Sequence, residues 1–254
     1  MDSDASLSLS VAGLFIKRAH GQGVEPASEL VLKRGLGIEG DAHAIIGSPR
    51  QVLMASAPAL SMFGLPPGAI QENLLLDSWV ETLPSGTVVQ VGDRAQIRIT
   101  FLCEPCSNLN RIQPGLAKDL IGKRGMLGMV VQDGLVRPGD RVVPLPFRLP
   151  FIPETTRGKF EEFVARIPSG HVVRTKALLM ALGLTQSYAR AIPTMLKKSD
   201  PSLPVHRIVA ADGSLLTQHL PHQAIALQSE GVVFVDGRVS EVYNWNPAEF
   251  HSLG

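Results

Sequence analysis

One stretch constrains this chain more than any other. From Pro144 to Gly158 it reads PLPFRLPFIPETTRG, with prolines at four of the first ten positions. Each proline fixes φ and removes a backbone donor, so the stretch predicts a stiff connector rather than a helix or a central strand. A connector there divides the 254 residues into a region over 7–146, a proline-rich linker over 147–157 and a region over 158–247. Both regions have ordinary domain length, and 44% hydrophobic residues is enough for each to bury a core.

The two regions carry different periods. The first holds short apolar or alternating runs bounded by Gly, Pro or Asp: SLSVAGLFI, ELVLKR, RQVLMAS, TVVQVGD, AQIRITFL, GMVVQDG and DRVVPL. Many short strands at close spacing predict a mainly-β, strongly curved structure, a barrel before a sandwich. Helices are expected at Ser56–Phe63 and Leu116–Ile121. The second region shifts to helical spacing, with Phe160, Phe163, Val164 and Ile167 on one face. A short extended piece follows over His171–Arg174. A helix is expected over Lys176–Leu182 with Gly183 as its stop, then another capped by Thr185 or Ser187 and running to Lys198. A hairpin about Asp236-Gly237 closes the pattern. This is an α+β arrangement of the winged helix-turn-helix kind, so the chain reads as multi-domain.

Charge supports a functional difference. Between Arg157 and Arg207 nine basic residues face three acids, whereas from Ile208 onward one base faces five acids. A basic block inside a near-neutral chain is either a polyanion-facing surface or a solvated helix face. No apolar run approaches the roughly 20 residues of a membrane span, and MDSDAS does not read as a secretory leader. Cys103 and Cys106 are the only cysteines, too few for a disulfide framework. A cytoplasmic protein without a membrane partner is expected.

Three local patterns invite chemistry and each has a plainer reading. Gly35, Gly37 and Gly40 spell G-x-G-x-x-G, but Gly47, Ser48 and Pro49 arrive before a dinucleotide-binding helix could form, so a tight turn is expected. Cys103 and Cys106 form a CxxC without the βαβ frame of a redox pair, and two cysteines do not close a zinc site. A single thiolate close to Arg50 and His43 would serve as a soft metal ligand or a sulfur-carrying nucleophile; otherwise it is a small buried hydrophobe. His219 and His222 bracket Pro221 without a third ligand and read as a loop.

Taken in order, GIEGDAHA, RQVLMAS, QENLLL, LPSGTVVQVGDRAQIRIT, EPCSNLN and GMVVQDGLVRPGDRVV resemble the MOSC family, the molybdenum cofactor sulfurase C-terminal domain, from about Val11 to Val143. That resemblance implies a curved β-barrel and a key catalytic cysteine, here Cys106, which carries sulfur or coordinates molybdenum in a molybdenum-pterin cofactor. It places Asp41, His43, Arg50 and Asn73 beside Cys106 in the cofactor pocket, and gives Cys103 no role.

From Phe160 to Trp245 the motifs IPSGHVV, SYARAI, PVHRIV, LQSEGV and YNW resemble the DNA-binding domain of the O6-alkylguanine DNA alkyltransferases. Active members carry Pro-Cys-His-Arg, whose thiolate accepts the alkyl group; here Val205 stands at the cysteine position and offers no lone pair. The segment is therefore more similar to the alkyltransferase-like proteins, which bind lesions without repairing them. The resemblance implies DNA contacts at Arg174, Thr175, Ser187, Tyr188, Ala189 and Arg190, with Arg190 filling the space of an extruded base. It implies a lesion pocket at Val205, His206, Arg207 and Glu230, and a His206–Glu230 bond. Double-stranded DNA with a modified guanine, and DNA-repair proteins, are the implied partners. Two positions depart from the pattern. Thr175 stands where a tyrosine is usual, and Pro193 falls inside the expected recognition helix, where a proline costs about 3 kcal/mol unless the helix begins late.

These readings predict a lesion-binding protein that performs no alkyl transfer, coupled to a barrel holding sulfur or a molybdenum-pterin cofactor. The competing expectations are a molybdenum-dependent reductase or sulfur transferase whose second domain only docks partners, and a scaffold with two vestigial sites.

Overall fold

A computed structural model describes residues 9–246 and 248–251; the expected domain limits at residues 7 and 247 lie outside the described residues. The chain divides after Ile152 into two compact units.

The first unit is a closed barrel. Its strands are β1 (Leu9–Ile16), β2 (Glu25–Pro26), β3 (Leu30–Lys33), β4 (Gly37–Ile38), β5 (Val52–Ser56), β6 (Leu74–Leu76), β7 (Thr87–Val91), β8 (Ala95–Leu102), β9 (Met126–Gln132), β10 (Gly134–Val136) and β11 (Arg141–Arg148). Seven of them run β11-β7-β8-β9-β5-β6-β1 around the wall, and β1 returns to β11 through Leu9↔Val142 and Ser10↔Arg141. Only β5 and β6 run parallel in this ring. Side chains alternate across the wall: Val52, Met54, Leu74, Ile97, Ile99, Met126 and Val130 fill the inside. Leu53, Phe101 and Leu127 point outward into a second apolar cluster. β3, β4 and β10 make a separate small sheet. Two short helices, α1 (Ala57–Met62) and α2 (Leu116–Asp119), cover part of the outer face with Leu60, Leu116 and Leu120. Gly35, Gly37 and Gly40 all have positive φ and turn the chain around β4, so they shape a bend and open no helix.

The first part of the linker expected over 147–157 runs along the barrel. β11 continues through Pro144, which opposes Val89, to Arg148, which opposes Thr87. The register shifts between those pairs, and this irregularity is how a ladder accommodates prolines that cannot donate to it. Beyond the strand, Leu149 N donates to Gly86 O at 2.8 Å and the buried Arg98 donates from Nη2 to Pro150 O. Ile152 N donates to Ser85 Oγ at 3.0 Å, and its side chain is buried with Leu53, Phe101 and Leu127. Proline counts identify missing donors but not the acceptors that hold their neighbours.

In the second unit α3 (Thr156–Ala165) starts at Thr155, whose hydroxyl accepts from Gly158 N. It buries Phe160, Phe163 and Val164 against α4 (Thr175–Ala181) and α5 (Ile192–Lys198). β12 (Val173–Arg174) and β13 (Ile208–Val209) pair in parallel, and α6 (Gln223–Ser229) precedes the hairpin of β14 (Phe234–Val235) and β15 (Arg238–Val239). Asp236 and Gly237 both take positive φ at its tip, the geometry of the expected two-residue turn.

The helix expected to run unbroken to Lys198 is split. Gln186–Ala191 is a 3-10 turn, and α5 begins only at Ile192, with Pro193 in its first turn. An N–H there has no intrahelical partner to lose, and the fixed φ suits the position. Replacing Pro193 with alanine therefore changes stability by less than about 1 kcal/mol in urea denaturation; a change near 3 kcal/mol would place Pro193 in the helix interior instead.

Candidate functional site

The segments around β5 converge on a cavity of about 530 Å³. Leu53 and Leu127 form its apolar floor, so it lies against the outer face of the barrel wall. His43, Arg50, Asn73 and Cys106 line it together with Lys17, Gln71, Cys103, Asn108, Arg111 and Arg124. Lys17, Arg50, Arg111 and Arg124 are cationic, and none of the lining residues is a carboxylate. The local field therefore favours an anionic guest.

Asp41 stands behind this surface. Its carboxylate accepts from Lys17 N at 2.8 Å and Asn73 Nδ2 at 3.0 Å through one oxygen, and from His43 N at 2.8 Å through the other. His43 Nδ1 lies 3.2 Å from that second oxygen. Burial works against the charge on Asp41, but these bonds and the imidazole outweigh it and hold its pKa below the usual value. Nδ1 of His43 thus carries the proton and donates to an ionised partner, and the His20 ring packs edge-on against His43 at 5.4 Å. Asn73 is less available than expected. Its Oδ1 accepts from Leu53 N at 3.0 Å, and its Nδ2 donates to Phe15 O as well as to Asp41. The amide ties three segments together beneath the cavity.

The two cysteines are unequal. Cys106 is exposed and Cys103 is buried, where burial pushes its thiol pKa up against the opposing charges of Arg124 and Arg50. The helical turn follows the second cysteine, over Ser107–Arg111, rather than opening on the first as a redox pair requires. Cys106 is the thiol a ligand entering the cavity would meet. Nearby, Arg124 donates from Nη1 to Glu104 O at 2.7 Å, while its buried Nε has no hydrogen-bond partner among the described residues. A buried N–H left idle costs about 1–3 kcal/mol, which an acceptor in the cavity would recover.

In the second unit Val205, His206 and Arg207 occupy a single 3-10 turn before β13. Val205 is half-buried against the core, and Arg207 holds Glu230 through Nε at 3.0 Å to both oxygens and through Nη2 at 2.6 Å. His206 Nε2 lies 2.8 Å from Glu230 Oε1, and Gly170 N donates to Oε2 at 3.1 Å. Burial would raise the Glu230 pKa, yet the bonds from Arg207, His206 and Gly170 bring it down to about 2. Gln223, buried and not foreseen from the sequence, fixes the turn by donating to His206 O at 3.0 Å and Ile208 O at 2.6 Å.

The residues expected to touch DNA separate into two groups. Ser187, Tyr188, Ala189 and Arg190 lie on the 3-10 turn, where every residue from Thr185 to Arg190 is exposed. Thr175 begins α4 and is half-buried. Arg174 is turned onto its own unit, reaching Asn244 Oδ1, Ala211 O and Glu241. His219 and His222 fall in a loop and at the start of α6. Among the described residues no cluster of three or more His, Cys, Asp or Glu could hold a metal ion.

A closed barrel with a thiol cavity, joined to a small α+β unit with a solvent-facing 3-10 turn, defines a two-domain chain. Its first domain matches the MOSC domain model over residues 40–143. The second matches the model described as 6-O-methylguanine DNA methyltransferase, DNA binding domain, over residues 156–232. The chain carries a MOSC domain followed by an alkyltransferase-like DNA-binding domain. Among solved structures, the YuaD protein from Bacillus subtilis is similar at 20% identity over 54% of this chain and 94% of that one, with a TM-score of 0.47. YiiM from Escherichia coli is 22% identical over 77% and 97%, with a TM-score of 0.43. S. pombe Atl1, in complex with damaged DNA containing O6-carboxymethylguanine, is 24% identical over 35% and 94%, with a TM-score of 0.32. No curated protein matches the chain. Among the described residues no helix is long and apolar enough to cross a membrane.

Proposed function

We propose that this protein binds duplex DNA containing an O6-modified guanine without removing the modification, and that its barrel cavity holds sulfur or a molybdenum-pterin cofactor on Cys106. The observation that carries the DNA reading is the Arg207–Glu230–His206 network standing complete beside a valine. The groups that would shape and polarise a base pocket are ordered, while the atom that would accept an alkyl group is missing. The half-buried Val205 offers an enlarged base an apolar contact and no nucleophile. The exposed turn supplies the rest. Arg190 on it is a planar cation suited to the gap left by a flipped nucleotide, whose unstacking costs a few kcal/mol, and Ser187 and Tyr188 add hydroxyls for phosphate oxygens.

For the barrel, the fit of a molybdenum-pterin group rests on its donor set: one exposed soft thiol, a cationic lining without carboxylates, and the idle Nε of Arg124. Cys106 would supply the sulfur ligand, and Arg50, Arg111 and Arg124 the counter-charge. Such a group supplies two-electron redox chemistry, and His43, oriented by Asp41, is placed to hold or release a proton at Nε2. The exposure of Cys106 in that cavity also favours a second reading, a reductase or sulfur transferase in which the C-terminal domain only docks partners.

The deciding experiment is fluorescence anisotropy with a short duplex carrying one O6-methylguanine and its unmodified twin, at one fixed salt concentration because phosphate contacts make affinity salt-dependent. The expected result is about a tenfold preference for the lesion, lost in Arg190→Ala, as befits one charge-assisted contact. Equal affinity for the two duplexes would retire the lesion reading and leave the barrel chemistry as the function.

A further inference from the structure

The hairpin of β14 and β15 turns apolar side chains toward solvent. Val233 is 63% exposed and Val235 70%, and Val242, on the 3-10 turn Glu241–Tyr243 after β15, is 78% exposed. Alternation along the strand accounts for the first two. Val232 and Phe234 pack with Val239 against Val172, Val209 and Leu227, so Val233 and Val235 must face the other way. With Val242, Ser240 and Tyr243 they line one surface depression of about 550 Å³. Single apolar residues scattered over a surface are ordinary, but a contiguous group marks an interaction site.

The backbone beside this group is open as well. Phe234 opposes Val239, yet Val239 N turns away from β14 and donates to Gly213 O at 2.9 Å. The two residues are therefore a pair without mutual hydrogen bonds, and Phe234 N–H and C=O point out of the hairpin on its far side. Among the described residues nothing bonds to them. The outer side of β15 is covered, because Arg238 bridges to Ser214 and Leu215 N donates to Gly237 O at 2.9 Å. β14 is thus the free edge. Leu227 O accepts from Val232 N at 3.0 Å, which confines the free length to Val233–Val235. The stretch Gly231–Val235 reads GVVFV, without the proline or charge that usually guards an exposed edge.

We infer that β14 is a docking edge for a second copy of this chain, which adds its own β14 antiparallel about a two-fold axis. Val-Phe-Val reads the same in both directions, so a register centred on Phe234 is self-complementary, as a two-fold interface requires. In that register the two Phe234 residues exchange both N–H···O bonds, and Val233 of each copy packs against Val235 of the other. Charge does not oppose the pairing. The edge itself is neutral, Arg238 is answered by Asp212 at 3.3 Å, and Asp236 meets Val232 of the other copy rather than a second carboxylate. Two marginal two-stranded hairpins become one four-stranded sheet. One reciprocal pair of bonds and a few valines bury less than the roughly 1,200 Å² of a standard interface, so the dimer forms only as concentration rises. The inference depends on neither the DNA reading nor the barrel chemistry.

The test is sedimentation velocity of the full-length protein from about 1 µM to about 200 µM, the range in which a small interface associates. Wild type moves from its 27.3 kDa monomer toward twice that mass. Val235→Lys raises the dissociation constant at least about tenfold by bringing an ammonium to the apolar edge. Val233→Lys does the same from the other side of Phe234, and both variants keep the wild-type Tm because the replaced side chains are exposed. Ile225→Lys, on α6 outside the depression and comparably exposed at 68%, leaves the association unchanged. A dimer that survives both lysines overturns the inference, as does one that Ile225→Lys dissociates equally well. Wild type that stays monomeric throughout also overturns it, and leaves the edge to a strand of another protein.

Discussion

Glu230→Gln removes about 3 kcal/mol from the stability of the unit that contains it, a change expected from a carboxyl whose pKa falls from 4.5 to about 2 on folding. The loss is not of one bond. Arg207 offers three N–H contacts, His206 and Gly170 one each, and the carboxylate is 13% exposed. Glutamine leaves a largely buried guanidinium facing a neutral amide, which is the costly way to break such a pair. The dependence on pH has a fixed sign. A carboxyl with a lowered folded pKa stabilises fully above its unfolded value of about 4.5, and the contribution fades as pH falls toward 2. Wild type should therefore lose stability steeply over that window, and Glu230→Gln should lose less. The unit contains Trp245, so urea unfolding followed by its fluorescence in a Trp79→Phe background reads this unit directly. A variant within 0.5 kcal/mol (roughly the scatter of ordinary surface substitutions) at pH 7 would mean that the network is a surface ion pair of little energetic weight.

Cys106→Ser is the second substitution of large expected effect. A serine hydroxyl does not ionise near neutral pH and is a poor partner for a soft metal or for a carried sulfur atom. Protein produced with ample molybdate should show metal, or cyanide-releasable sulfur, in wild type and only background in Cys106→Ser. The thermal midpoint of the variant should be preserved, because Cys106 is exposed. Cys103→Ser does the opposite to the fold. It puts a hydroxyl among Leu53, Phe101, Leu127 and Ile152 and destabilises the barrel by about 1–3 kcal/mol. Wild-type protein carrying neither metal nor sulfur under these conditions would argue that the cavity takes some other guest.

The parts of this molecule legible in sequence are those with a period or a fixed turn chemistry. The alternating runs gave every long strand of the barrel, and Asp236-Gly237 gave the hairpin. β6 was not legible: Leu74–Leu76 is too short for a period of two to show, and it is a strand because β5 and β1 flank it. The route of residues 149–152 along the barrel depends on acceptors at Gly86, Ser85 and Arg98 that lie far away in sequence. The candidate site was half legible. Asp41, His43, Arg50 and Cys106 sit in compact motifs, whereas Lys17, Arg111 and Arg124 reach the same cavity from separate loops with no local pattern to mark them. Pro193 conflicts with a helix capped by Thr185 or Ser187 because those residues lie six and four positions before Ala191, which caps α5, and the intervening 3-10 turn has no distinct apolar period.

The barrel closes by pairing its first strand with its last, Leu9 to Val142 and Ser10 to Arg141. During synthesis at the ribosome this seam cannot form until β11 has emerged, by which time the basic second unit is already being translated. Until then the edges of β1 and β7 stand open, each a template for a stray strand. The chain is thus expected to fold its barrel late and slowly, as non-local pairing dictates. Fragments ending before β11 should collect in aggregates, whereas fragments ending after Ile152 should not.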